Sequence, residues 1–132
     1  MSDDEVVTVE TVSPATTRAA AREHGFTIDK PEASGGTDQA PMASEYLLGA
    51  LGSCQITTAH KVAAKRGRRI DALRVVATGS FENGLFSKIH LDIHVTGDGE
   101  PSDWETVFRL VERVCTVSRA LSVPVTRAVH AA

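Results

Sequence analysis

Apolar and polar residues alternate at the start of the chain. Val6-Val7-Thr8-Val9-Glu10-Thr11-Val12, rich in β-branched side chains and closed by Ser13-Pro14, predicts a strand. A second short strand is expected over 15–22 and a third over 24–29, where turn chemistry precedes and Pro31 follows, so the three form a meander. Residues 31–41, with Gly35-Gly36, Asp38 and two prolines, read as a loop long enough to carry function.

The period then changes. Over 44–66, Leu47, Leu48, Leu51, Cys54, Thr58 and Val62 recur at spacings of one, three and four without a proline, which predicts a helix. Ser44 is the expected N-cap, Glu45 suits the positive end of the helix dipole, and Lys65-Arg66-Gly67-Arg68-Arg69 marks the end. Gly49, Ala50, Gly52, Ser53 and Ala59 make much of one surface small. Glycine costs about 1 kcal/mol in a helix interior, so two of them beside a cysteine point to close approach by another backbone or a ligand.

Strands follow over 70–81, alternating around Leu73, Val75 and Ala77, and over 85–95, alternating around Ile89, Leu91 and Ile93, with Glu82-Asn83-Gly84 as the hairpin turn between them. Residues 102–114 are amphipathic at helical spacing, with Trp104, Val107, Leu110, Val111 and Val114 on the apolar side and start signals in Pro101-Ser102-Asp103-Trp104-Glu105. Another turn is expected over 118–121 and a closing strand over 123–129. Without an internal repeat or an alternating βαβ rhythm, this order predicts the α+β class, with helices packed on antiparallel sheet.

At 132 residues, 42% hydrophobic and 23% charged, the chain has the bulk of one ordinary soluble domain, 1–132, and needs no disulfide framework. Fourteen basic against seventeen acidic side chains, a formal net charge of −3, offer no basic field to draw nucleic acid. The acidic start Met1-Ser2-Asp3-Asp4-Glu5 lacks the pattern of a secretion signal, and no apolar run approaches the roughly 18 residues of a membrane span, so a cytoplasmic protein without a membrane partner is expected. In that reducing compartment Cys54 and Cys115 matter as thiols.

Two segments carry a resemblance. Glu45-Tyr46-Leu47-Leu48-Gly49-Ala50-Leu51-Gly52-Ser53-Cys54 is similar to the signature of the OsmC/Ohr superfamily (osmotically induced protein C and organic hydroperoxide resistance protein), in which a Pro-rich loop enters a small-residue helix carrying a cysteine. Val114-Cys115-Thr116-Val117-Ser118-Arg119-Ala120-Leu121 is similar to the family's CPVS-(K/R)-(A/S)-L segment. With Gly35-Gly36-Thr37-Asp38 before the helix and about sixty residues between the cysteines, the resemblance runs from about residue 18 to the end.

The resemblance implies an obligate, intertwined homodimer. Antiparallel sheets built from both chains would wrap the long central helices, with two active sites at the interface. It further implies reduction of organic hydroperoxides, with electrons from a dithiol donor such as a lipoyl group and with no metal or bound cofactor. Cys54 would attack the peroxide as a thiolate and Cys115 would resolve the sulfenic acid. The chemistry of the residues agrees, because a thiolate is the nucleophile, its first oxidation product condenses with a nearby thiol, and an apolar helix face suits a fatty or aromatic peroxide.

The family sets an early-strand Arg, held by a Glu near the helix start, beside the peroxidatic thiol. Arg18 and Arg22, four residues apart, would share one face of a strand, and either could reach Cys54. In the characterised peroxidases the Glu lies ten residues before the cysteine, where this chain has Ser44; Glu45 lies nine before it. At about 100° per residue, Glu45 falls on roughly the opposite helix face from Cys54, as in the uncharacterised OsmC-like branch. Thr116 replaces the usual proline.

Plainer readings stand beside these. Cysteines are often simple core fillers. His60 and His90 with the two cysteines compose a zinc set on paper but lack its short ligand spacings. Arg66, Arg68 and Arg69 read as a solvated helix end, and Gly35-Gly36 lacks the context of a phosphate loop. The runner-up function is an OsmC-like dimer that binds a small apolar or thiol-reactive ligand without efficient peroxide turnover.

Overall fold

Strands β1 (Thr8–Ser13), β2 (Thr16–Ala21) and β3 (His24–Ile28) pair antiparallel in chain order, which is the expected meander. The computed structural model describes residues 4–132, so the first three residues of the acidic start lie outside the described residues. The chain divides into two compact units, Met1–Leu47 and Leu48–Ala132. Helix α1 (Ala43–Lys65) begins in the first and continues into the second.

Within the first unit, β2 ends at Ala21 because Arg22 takes the left-handed conformation, φ 54°, that opens the tight turn into β3. Arg22 therefore does not share a strand face with Arg18, contrary to the expectation from their spacing. The loop after β3 is organised by Asp29, which is 1% exposed. Its Oδ1 accepts from the Thr16 hydroxyl and the Lys30 N–H, both at 2.8 Å, and its Oδ2 from the Thr37 hydroxyl at 2.6 Å and the Gln39 N–H at 3.1 Å. Gly36 is required there, since a Cβ would collide with the Lys30 carbonyl. Asp29 N–H donates in turn to Pro41 O at 3.1 Å, closing the loop just before the helix.

The helix starts one residue earlier than expected. Ser44 is not its N-cap: Glu45 reaches back so that its Oε1 accepts the Met42 N–H at 2.9 Å, half of a capping box around Met42. Tyr46 ties this first turn to β3, its hydroxyl donating to Thr27 O at 2.7 Å while its ring packs 5.3 Å from that of Phe26.

In the second unit, β4 (Ile70–Glu82) and β5 (Leu85–Gly97) form a long antiparallel hairpin. Asn83 and Gly84 both have positive φ, 54° and 79°, the pattern of a type I′ turn whose twist matches the strands. Helix α2 (Pro101–Val114) begins where the Glu100 N–H donates to Asp103 Oδ2 at 2.7 Å. Short α3 (Thr116–Ala120) leads to β6 (Val125–Ala131). Here an expectation fails: β6 pairs with β5 in parallel, Leu91 opposite Arg127 and Ile93 opposite Val129, so this sheet is mixed rather than antiparallel. The helices between β5 and β6 form the crossover that a parallel pair demands, and the pattern of alternating residues in β6 could not report its direction.

The core of this unit lies between sheet and helices, where Ile89, Leu91, Ile93 and Val95 of β5 meet Leu51, Ala59 and Ala63 of α1 and Trp104, Val107, Phe108 and Val111 of α2. Among the described residues, and apart from the helix's own backbone, nothing lies within 4 Å of a Cβ placed on Gly49, and one on Gly52 touches only the Val75 side chain at 3.8 Å. Arg66, Arg68 and Arg69 are exposed, as expected of a solvated helix end, and Arg68 and Arg69 also pair with Asp103 at 3.3 Å and Asp71 at 2.7 Å.

Phe108, fully buried, sets a scale for this core: Phe108→Ala should cost about 3–5 kcal/mol by urea denaturation. Asp29 offers a test of the first unit. The Thr37 hydroxyl and Gln39 N–H, with smaller help from Lys30 and Thr16 and against the opposing effect of burial, hold its carboxyl well below the usual range. A depressed carboxyl stabilises the fold at pH above its unfolded value, near 4, and that contribution fades as pH falls below it. Asp29→Asn should lower the denaturation midpoint at neutral pH, and its stability should fall less steeply than the wild type's below about pH 4.

Candidate active site

Helix α1 carries Cys54 at a partly exposed position between fully buried Leu51 and Gln55, 0% and 1% exposed. Thr58, one turn further on the same face, places its hydroxyl 3.9 Å from Cys54 Sγ. The crossover supplies the opposite wall. Cys115 ends α2, its N–H donating to Val111 O at 2.9 Å, and its extended backbone turns the chain into α3. This brings the Cys115 side chain and the N–H groups of Thr116 and Val117 within hydrogen-bonding reach of the Cys54 sulfur. Cys115 itself is fully buried, and both thiols are free.

Burial pushes the Cys54 thiol up. The Val117 N–H, the Cys115 thiol, the Thr58 hydroxyl and the Thr116 N–H together outweigh it, so Cys54 ionises below the usual thiol range. All four favour the thiolate in the same way, by hydrogen bonding to the charged form. Thr116 changes the set: proline, which the resemblance leads one to expect there, has no N–H to offer.

The remaining expected site residues lie in the first unit and are engaged otherwise. Arg18 Nη1 donates to the Thr27 hydroxyl at 2.9 Å across the β2–β3 pairing, Arg22 sits in the turn, and Glu45 caps the start of α1. Among the described residues no ion pair joins Glu45 to Arg18 or Arg22. His90 is turned to Thr126 at 2.7 Å and Asp92 at 3.4 Å, and among the described residues no three His, Cys, Asp or Glu side chains converge as metal ligands. Among the described residues no helix is long and apolar enough to cross a membrane.

Sequence reading did not single out Thr58 as a thiol partner, although its position four residues after Cys54 was a usable signal. It also missed the Thr116 and Val117 amides and the Asp29 knot, which depend on backbone direction and burial.

Two sheets, a small-residue helix and a pair of free thiols define a thiol-bearing α+β protein. The model of the family described as OsmC-like protein matches residues 36–128, and the chain belongs to that family. The fold matches the OsmC-like protein of Mycoplasma pneumoniae with a TM-score of 0.89 at 17% identity, covering 99% of each chain. It also matches an organic hydroperoxide resistance protein from Elizabethkingia anophelis, with a TM-score of 0.76 at 16% identity over 100% of this chain and 99% of that one. A third match is the organic hydroperoxide resistance protein OhrB of Bacillus subtilis, with a TM-score of 0.65 at 18% identity over 98% of each. Likeness at these identities is one of fold. No curated relative matches the chain.

The thiol environment can be tested directly. Thr116 opens α3, and Cys115 before it is already extended at φ −67° and ψ 114°, so the backbone accepts proline at 116. Thr116→Pro should fold normally and raise the Cys54 pKa, read as a shift to higher pH of the profile for iodoacetamide alkylation. An unchanged profile would remove the Thr116 amide from the site.

Proposed function

We propose that the protein is a thiol peroxidase for organic hydroperoxides, in which Cys54 is the peroxidatic and Cys115 the resolving cysteine. The observation that carries this reading is the depressed Cys54 thiol facing Cys115 and two backbone amides. The Cys54 thiolate attacks the terminal oxygen of the hydroperoxide, an S–O bond forms as the O–O bond breaks, and the departing alkoxide takes up a proton to leave as the alcohol. The Cys115 thiol then attacks the sulfenic sulfur, expelling water and forming the disulfide. An external dithiol returns both cysteines to thiols and is itself oxidised to a disulfide. Arg18 or Arg22 would supply the cation that assists the thiolate. Glu45 serves mainly as the cap of α1.

We further infer that the working form is a cytoplasmic homodimer in which the two units of each chain complete a single domain. Two surfaces support this. Val9 and Val12 of β1 are 53% and 65% exposed, and Leu48, Gly49, Gly52 and Ile56 of α1 line an open groove with Val75 and Ala77. That groove also favours the second reading, a dimer that holds a small apolar or thiol-reactive ligand there without efficient turnover.

Loss of cumene hydroperoxide in the presence of dithiothreitol separates the two. Wild type should consume peroxide catalytically, and Cys54→Ser should fall to the uncatalysed rate. Cys115→Ser should accumulate the sulfenic acid, trapped by dimedone and seen by mass spectrometry. Equal rates for wild type and Cys54→Ser would reject the peroxidase in favour of the binding reading.

A further inference from the structure

A cavity of about 220 Å³ in the second unit is lined by Gln55, Leu91, Glu112, Arg119, Val125 and Arg127 among others. Three buried polar atoms at it lack any hydrogen-bond partner: Gln55 Oε1, and Nε and Nη1 of Arg127. Gln55 is 1% exposed, so this acceptor is wholly withdrawn from solvent. Arg127 is there because β6 pairs with β5 in register. It lies opposite buried Leu91, on the core-facing side of the strand, where alternation would otherwise place an apolar residue. Its Nε lies 3.4 Å from Glu112 Oε1, close enough for an ion pair but out of alignment for a hydrogen bond. Buried polar groups are almost always paired, so an amide oxygen and a guanidinium Nη1 that reach no partner at one cavity call for a polar occupant.

We propose that this cavity binds a short 2-hydroxycarboxylate. Arg119 and Arg127 against Glu112 leave one positive charge for a mono-anion. Nη1 of Arg127, which reaches no acceptor, is a charged donor for a carboxylate oxygen, while Nε faces Glu112. Gln55 Oε1 calls for a donor, which a hydroxyl beside the carboxylate supplies. Leu91 and Val125 receive the short hydrocarbon. At a share of about 30 Å³ per water, the volume equals roughly seven waters, enough for a molecule the size of lactate. The inference is independent of the thiol chemistry and needs neither cysteine.

The test is a titration of the ¹⁵N-labelled full chain with sodium lactate, against sodium propionate and sodium chloride at matched ionic strength. The Arg127 Nε–H and Gln55 side-chain amide resonances report binding. Lactate should shift both saturably and more tightly than propionate, and chloride should not reproduce the shifts. Arg127→Met should weaken lactate about tenfold or more. Gln55→Leu should abolish the preference for lactate over propionate, and Arg74→Gln, outside the cavity, should change neither. If Arg127→Met does not fold, Arg127→Gln keeps a polar side chain without the charge and should also weaken lactate. Shifts that fail to saturate, that chloride reproduces, or that survive the Arg127 substitution would overturn the proposal.

Discussion

The parallel pairing of β6 with β5 is the constraint on which the second unit depends. Two parallel neighbours cannot be joined by a tight turn, so the chain must leave the end of β5, run back and re-enter beside it. Helices α2 and α3 make that return, covering the β5 residues that point inward and placing Cys115 where the two helices meet. The break at Cys115 ends one helix in an extended conformation and starts the next, which leaves the first amides of α3 free to face Cys54. The same register sends Arg127 toward the core side of the sheet.

Cys54 is balanced between opposing effects. A partly buried thiol resists ionisation, whereas four hydrogen-bonding groups favour the thiolate and prevail without a cation in the second unit being needed to explain the direction. Neutral donors fixed by backbone geometry need no reorganisation when charge develops on sulfur, which is the general advantage of preorganised amides at a nucleophile. Thr116 belongs to this set because its N–H, not its side chain, faces the sulfur.

In the first unit a single carboxylate has a comparable role. Asp29 draws a hydroxyl from β2, another from Thr37 and amides from the loop onto two oxygens, fixing a segment that could otherwise adopt many conformations. Its burial is tolerable because both oxygens are fully used. The loop so held delivers the chain to Met42, where Glu45 caps α1 and Tyr46 docks it on β3.

Much of this was legible along the chain. Alternation at Ile89, Leu91 and Ile93, helical spacing from Leu47 to Val62, the Asn83-Gly84 turn and the order of elements all report local preference and one-sided burial, which depend on near neighbours only. The two cysteine segments, read together, were enough to expect the family. What the sequence left open depends on backbone direction and on partners far apart in the chain. Alternation is the same for a parallel and an antiparallel strand, so the direction of β6 and the inward face of Arg127 were invisible. A spacing of four could not reveal that β2 stops at Ala21 and leaves Arg22 in a turn. The residues alone thus determined the elements and the thiol pair, while the tertiary structure decided what surrounds the thiols, because hydrogen bonds between distant segments exist only once the crossover has brought those segments together.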